Sequence, residues 1–274
     1  TNFWKIIPPK FTPISRVVFK NKINMDYDVI ISCGRKSVIP SIYLKRNINK
    51  KIINIHIQDP KVALNHFNYV VVPEHDSIDG ENVIKTKGAI HYLTIEDIDK
   101  NRSYLENKVN SHKEILTLIL GGPTKYYKYT EKNLENIFYK IKKNIENNNL
   151  QLIVLSSIRT PQNAISLAKN YFSPDSLIIE EVDKKAYLSS LSLSKFIVVT
   201  CDSSSMISEA ALTGKPIYIA QIPAVKNDYR FKKFRDLFKE LNIIRELNDK
   251  LENWNYEKLN ETIRIAEEIK KKIS

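Results

Sequence analysis

The stretch FIVVTCDSSSMISEAALTGKPIYIA, from Phe196 to Ala220, constrains this chain more than any other. It opens with a β-branched run, Ile197 to Thr200, which predicts a strand buried on both faces. Asp202-Ser203-Ser204-Ser205 follows, where short oxygen-bearing side chains can cap orphan backbone N–H groups and start a helix. On that helix Met206, Ile207, Ala210 and Ala211 share one face by the 3.6 period, and Ser205 and Glu209, one turn apart, lie opposite. Gly214 is expected to close the helix in the left-handed conformation, and Lys215-Pro216 leads into a second apolar run, Ile217 to Ala220. A strand, helix and strand so connected call for a parallel sheet.

A helix that starts directly after a parallel strand aims free N–H groups and the positive end of its dipole at the sheet's carboxyl edge, where anions bind. The pattern Ser-Glu-Ala-x-x-x-Gly-x-Pro, Ser208 to Pro216, resembles the nucleotide-diphosphate corner of GT-B glycosyltransferases, especially those of the peptidoglycan type. The resemblance implies that the helix end at Ser203, Ser204 and Ser205 holds a diphosphate and that Glu209 grips ribose hydroxyls. The plainer alternative is a capped structural helix with a solvated glutamate. A capping-box glutamate would stand three residues after the cap, and Met206 occupies that position.

At 274 residues the chain suits one large or two modest domains. Its net charge is +12, yet all but nine of its 43 basic residues are lysines scattered along the sequence. A nucleic-acid binder should cluster basic residues with aromatics, so no nucleic acid is expected as partner. Anionic substrates and membrane surfaces remain compatible with the charge. Cys33 and Cys201 have no metal-ligand spacing, which points to a reduced, cytoplasmic compartment and no metal site. No apolar run approaches the roughly 20 residues that span a bilayer. The chain begins at Thr1, so a leading segment is expected to be missing. Average usage would give about nineteen glycines, and there are six. Glycine should persist here mainly where nothing else fits.

Taken in order, Thr1 to Lys22 reads as an extended entry segment. Strands are expected at Asp28 to Ser32, Ile52 to Ile57, Tyr69 to Val72 and Asn82 to Lys85, with a helix from Val38 to Arg46. Their carboxyl ends carry Gly34-Arg35-Lys36-Ser37, Gln58-Asp59-Pro60, Pro73-Glu74-His75-Asp76 and Gly88-Ala89-Ile90-His91. Such polar ends are expected where ligands bind outside a parallel sheet. Thr94 to Lys113 is charged and weakly periodic, and the domain boundary is placed there, dividing the chain into 1–113 and 114–274. Further strands are expected at Ile115 to Leu120, Leu152 to Leu155 and Leu177 to Ile179. Helices are expected at Glu131 to Asn147, Pro161 to Tyr171 and Lys184 to Leu193, and a basic, aromatic helix at Tyr229. The last helix has Leu259, Ile263, Ala266, Ile269 and Ile273 in one stripe that needs covering, and is expected to cross back to the first domain.

IHIQDP, VVVPEHD, GENVIKTKGAIH, LILGGPTK, SSIRTP, TCDSSSMISEAALTGKP and RFKKF, in this order, resemble the mitochondrial fission (elongated-mitochondria) family of plants and bacteria. A bacterial member is the natural reading. The family resembles a GT-B fold, which implies α/β architecture with two Rossmann-like domains facing across a cleft. It normally begins with a further βα unit rich in Gly, Asn and Gln, so the amino-terminal sheet here is expected to lack its first strand. The plant role is recruitment of fission machinery.

Each remaining motif has two readings. Gly121-Gly122 with Thr124 and Lys125 could cradle a phosphate through backbone N–H groups and a lysine, or form a plain tight turn. Arg159 could clamp a diphosphate bidentately or sit in a surface loop. Arg35 and Lys36 are equally open. His75 with Asp76 offers a general base and its orienting carboxylate, against a hydrogen-bonded loop without catalysis. Asp59 and His91 are further candidates of that kind, whereas His56 and His66 are expected to serve structure.

These readings converge on a metal-independent glycosyltransferase using a nucleotide-diphosphate sugar as substrate, with no cofactor and with an acceptor that is lipid or membrane-associated. It would be cytoplasmic or peripheral to a membrane. The alternative is a non-catalytic GT-B-shaped scaffold that recruits partners or binds a membrane surface. A nucleotide site would bring Gly121, Arg159 and Ser204 to one side of a cleft, with Gly34, Asp59 and His75 on the other.

Overall fold

The computed structural model describes residues 6–18, 27–47, 51–172 and 174–273. The chain divides into two compact units, Thr1–Lys87 with Ile263–Ser274, and Gly88–Thr262. Each is built on its own parallel sheet.

The first unit contains β1 (Val29–Cys33), α1 (Val38–Asn47), β2 (Ile53–Ile57), β3 (Tyr69–Pro73) and β4 (Val83–Thr86), with sheet order β1-β2-β3-β4. One face of this sheet is sealed by apolar side chains of α1 (Val38, Ile39, Ile42), which pack with Phe67, Val70 and Val72. On the β2 segment of that face lies His56, fully buried, its Nδ1 2.8 Å from the Ser32 hydroxyl. Burial pushes this imidazole down to about 4 against the opposing pull of Asp59, so it is a neutral structural group at neutral pH.

Past Gly88 come α2 (Ile95–Lys100), α3 (Ser103–Glu106), β5 (Glu114–Ile119), α4 (Glu131–Asn148) and β6 (Leu150–Leu155). Then follow α5 (Gln162–Tyr171), β7 (Leu177–Ile179), α6 (Lys184–Leu193) and β8 (Ser194–Thr200). The series ends with α7 (Ser204–Ala211), β9 (Ile217–Ala220), α8 (Tyr229–Glu240), β10 (Ile244–Glu246) and α9 (Glu261–Ile273). The second sheet has the order β10-β9-β8-β5-β6-β7, every pair parallel. Its β8 is buried from Phe196 through Thr200 on both faces, as its β-branched run requires.

Local chemistry sets the element ends. Thr94, Thr130, Asp183 and Ser203 accept hydrogen bonds from first-turn N–H groups of α2, α4, α6 and α7, each such cap contributing about 1 kcal/mol. Asn149 closes α4 in the left-handed conformation at φ 51°. Helix α7 stops at Ala211, and the left-handed residue is Gly214 at φ +74°, against the Lys258 side chain.

The change of unit falls at Gly88, not near Lys113. Residues 94–113 are no linker: α2 and α3 pack on α6, and Leu93, Ile98 and Leu105 lie in the core of the second unit. From Ile263 onward α9 groups with the first unit, where Tyr69 donates to the Lys272 carbonyl at 3.1 Å and Arg264 donates to that of Lys85 at 2.6 Å.

Candidate functional site

In the second sheet β6 and β7 continue to one side of β5, while β8, β9 and β10 return on the other. The strand order therefore reverses between β5 and β8, and ligands of open parallel sheets bind outside the carboxyl ends at such a reversal. A cleft of about 340 Å³ opens along this edge. Its floor is Ile119, Leu155 and Ile179 at the ends of β5, β6 and β7, and one wall is Ser203, Met206 and Glu209 of the α7 segment.

The start of α7 supplies donors. The Ser203 hydroxyl accepts the Met206 N–H at 3.4 Å, and the Ser203 carbonyl accepts that of Ile207 at 3.3 Å. The N–H groups of Ser204 and Ser205 come before any intrahelical acceptor, and among the described residues they find no other. Ser203 is nearly buried, Ser204 half-buried and Ser205 exposed. The buried Ser208 on the same helix serves structure, taking the Ala89 N–H at 2.9 Å.

Glu209 is not the solvated glutamate of the plain reading. Its Oε2 accepts a 2.7 Å hydrogen bond from the Tyr187 hydroxyl of α6. Burial raises its pKa and Tyr187 opposes the rise. Its Oε1 takes no hydrogen bond among the described residues, so a half-buried carboxylate oxygen is left on the cleft wall. The burial and Glu209 together push the Tyr187 phenol well above its ordinary range, keeping it a donor. At the rim Ile158 is 90% exposed and Val182 58%, beside Tyr92, over whose ring Lys184 Nζ lies 4.6 Å from the centroid.

The neighbouring turn behaves differently and corrects several expectations. Gly121 N–H donates to Thr200 Oγ1 at 2.8 Å and Gly122 N–H to Asp202 Oδ2 at 3.1 Å, so neither is left for a phosphate. A Cβ at Gly121 would overlap the Asp202 carboxylate, and one at Gly122 the Arg159 backbone carbonyl. These glycines are kept by close approach. Thr124 accepts the N–H groups of Tyr126 and Tyr127 at 3.1 and 3.2 Å, and Lys125 Nζ lies 4.8 Å from the Tyr126 ring centroid. Neither lines the cleft. Arg159 does line it, but Nη2 is bound to Asp202 Oδ2 at 2.9 Å and Nη1 to the Gly122 carbonyl at 3.3 Å. The Tyr129 hydroxyl completes the node, 2.6 Å from Asp202 Oδ1 and 2.8 Å from Thr200 Oγ1. The fully buried Asp202 side chain is thus satisfied from three sides, which is what makes a buried carboxylate tolerable.

In the first unit, His75 Nε2 lies 3.9 Å from Asp76 Oδ1 just past β3, and both side chains are nearly buried. Asp59, past β2, accepts the Lys61 N–H at 2.8 Å and ion-pairs with that lysine. Gly34 takes φ +76° after β1, and Arg35 donates to the Ile6 carbonyl. His66 accompanies Arg46 at 3.0 Å. His91, in the second unit, is buried, its pKa lowered by burial, and its backbone is tied to the Thr262 hydroxyl.

Tyr187, Tyr129 and Asp202 are participants that motif reading passes over. Asp202 has the appearance of one more capping residue, and nothing in the sequence links Tyr187 to a glutamate 22 positions on. Among the described residues no group of three or more His, Cys, Asp or Glu side chains is disposed to hold a metal ion, and no helix is long and apolar enough to cross a membrane.

Solved structures share this architecture. A UDP-GlcNAc 2-epimerase from Methanocaldococcus jannaschii matches with TM-score 0.50 at 16% identity, over 89% of this chain and 77% of its own. A candidate UDP-N-acetylglucosamine 2-epimerase from Listeria monocytogenes matches with TM-score 0.53 at 12% identity, over 90% and 74%. The fold is thus of the GT-B kind, with two parallel-sheet α/β units. In sequence, an uncharacterised protein of Rickettsia prowazekii is 28% identical over 89% of this chain and 79% of its own. The mitochondrial fission protein ELM1 of Arabidopsis thaliana is 23% identical over 90% of this chain, which spans 64% of the plant protein's length. The profile described as Mitochondrial fission ELM1 matches residues 1–273, and the chain belongs to that family.

Proposed function

We propose that the cleft at the carboxyl edge of the second sheet binds a nucleoside diphosphate or its sugar conjugate, and that the protein is a metal-independent glycosyltransferase. The observation that carries this reading is the unshared Glu209 Oε1 on the cleft wall of Ser203, Met206 and Glu209, on the helix whose first turn leaves the Ser204 and Ser205 N–H groups open. Donors at a helix end suit a diphosphate, and a desolvated carboxylate acceptor suits vicinal ribose hydroxyls. Ile158 and Val182 give the base an apolar rim. The names of the two epimerases with this fold, which refer to UDP-N-acetylglucosamine, point to the same ligand class. The helix dipole would stabilise charge on the departing diphosphate without a cation. His75, with Asp76 beside it, is the base this reading assigns to the acceptor hydroxyl.

A scaffold without turnover is the second reading. It is favoured by one observation, the commitment of Gly121, Gly122 and Arg159 to Asp202 and Thr200, which removes three phosphate ligands. The test is a thermal-shift panel of uridine, guanosine, adenosine and cytidine diphosphates and their sugars on wild type and Glu209→Ala. Ligand at about 100 times Kd should stabilise by about 2.7 kcal/mol, a shift of several degrees. A shift in wild type that is lost in Glu209→Ala supports the nucleotide site. A flat panel, or equal shifts in both proteins, refutes it.

A further inference from the structure

A second feature lies away from the cleft, where two surface turns of the second unit meet. Tyr127 and Ala224 form an isolated antiparallel bridge, and Val225 N–H donates to the Tyr126 carbonyl at 2.8 Å. This register sets Lys125 opposite Lys226. The two segments and the first turns of α8 together carry Lys125, Lys128, Lys226, Lys232 and Lys233. All are exposed except Lys233, which is half-buried. Between residues 123 and 130 and between 221 and 233 there is one acidic side chain, Asp228. It is occupied from within, by Arg235 Nη2 at 3.0 Å and the Tyr127 hydroxyl at 2.5 Å. Lysines that are scattered in the sequence are therefore gathered by the fold on adjoining surface turns.

Apolar groups stand among these cations: Tyr229 is 65% exposed and Val225 49%. We propose that this face docks the protein on an anionic lipid surface. Clustered basic side chains are drawn to the negative potential of such a surface. An exposed tyrosine and valine between them suit the headgroup boundary, where an amphipathic ring keeps its hydroxyl wet. A single-stranded nucleic acid would instead need open ring faces for stacking. Three of the local rings are already used, Tyr126 and Phe231 packing edge to face at 5.4 Å and Phe231 packing likewise on Tyr127 at 5.7 Å. The face is independent of the nucleotide cleft, whose lining it does not share.

The experiment is co-sedimentation of the full chain with vesicles of phosphatidylcholine alone and of phosphatidylcholine with phosphatidylglycerol, over a range of salt. Binding is expected only to the anionic vesicles, weakening as salt rises. Combining Lys125→Glu, Lys226→Glu and Lys232→Glu should lower partitioning by about 100-fold. The same charge change placed elsewhere, as Lys108→Glu, Lys142→Glu and Lys250→Glu, should lower it by less than about tenfold. Tyr229→Ser, a milder change that leaves every charge in place, should also weaken binding and keeps the test open if the triple variant fails to fold. Absence of binding to anionic vesicles overturns the proposal, as does equal binding to neutral ones or equal loss in the two triple variants. Retention of polyuridylate RNA by a protein that ignores the vesicles also overturns it, in favour of nucleic acid.

Discussion

Two turns leave the same edge of the second sheet side by side, and they use their polar groups in opposite ways. The turn after β5 points its N–H groups inward, to Thr200 and Asp202, and draws Arg159 in after them. The turn after β8 sends the Asp202 side chain to serve that neighbour, while Ser204 and Ser205 keep open N–H groups at the start of α7 and Glu209 an unshared oxygen at the cleft. Both are short, polar and placed at strand ends, so residue type does not separate them. What separates them is whether donors and acceptors are already matched within the fold. A satisfied buried network adds rigidity and offers a ligand little, whereas an open donor beside a desolvated acceptor is an unfinished site.

The largest expected effect falls on the closed turn. Asp202→Ala leaves the Arg159 guanidinium, the Gly122 N–H and the Tyr129 hydroxyl without their shared acceptor. The loss should be about 3–4 kcal/mol of unfolding free energy by urea titration, below the top of the range for buried pairs because Arg159 is 43% exposed. A loss under about 1 kcal/mol would mean that this turn is not closed in solution. Gly122→Ala should follow at about 2–3 kcal/mol, since the new methyl meets the Arg159 carbonyl, a backbone atom that cannot swing aside. Were it tolerated, the close approach drawn here would be wrong.

The open turn should respond in ligand affinity more than in stability. Glu209→Ala should cost a nucleoside diphosphate about tenfold or more in Kd, measured by calorimetry, with the unliganded melting temperature little lowered. A variant that lost as much stability as Asp202→Ala would erase the distinction between the turns. His75→Ala sharpens the same comparison from the first unit. It should leave nucleotide affinity unchanged while abolishing any transfer to an acceptor, and a fall in nucleotide affinity would contradict its assignment as base.

The β8-α7-β9 unit was legible because its signals are local: an uninterrupted β-branched run, the Ser203 cap, and a face of Ile207, Ala210 and Ala211 that is fully buried. The end of α4, expected at Asn147 and found at Asn148, was legible as well. Strand β10, Ile244–Glu246, was not expected from the sequence, and its place is set by pairing with β9. The boundary was misjudged because short helices such as α2 and α3 are stabilised by packing on α6, which no local pattern encodes. Likewise Tyr129, Arg159 and Asp202 meet only once three strands are in register. The open half of the site was readable from helix-end physics. The closed half required knowing which partners were already taken.

The smallest effect is the most diagnostic, because its sign differs from that of every mutation of the closed turn. Burial raises the Glu209 pKa above its ordinary 4.5 in the folded chain. From about pH 4.5 up to the raised value the folded state binds more protons than the unfolded state, so this group makes unfolding free energy fall as pH rises. Above that window the fold retains the whole cost of a charged carboxylate held partly out of water. Glu209→Gln keeps an oxygen for the Tyr187 hydroxyl and removes the charge. Plotted against pH, variant minus wild-type stability should therefore lie near its minimum below pH 4.5, climb through the window and stay positive at neutrality. The same variant should bind nucleoside diphosphate more weakly, since a neutral amide is a poorer acceptor for ribose hydroxyls than a carboxylate. Gained stability together with lost affinity is the signature of a residue held in an unfavourable state for a ligand. A Gln variant less stable than wild type at neutral pH would place Glu209 with Asp202 among the groups that hold the fold together, and the contrast between the two turns would fail.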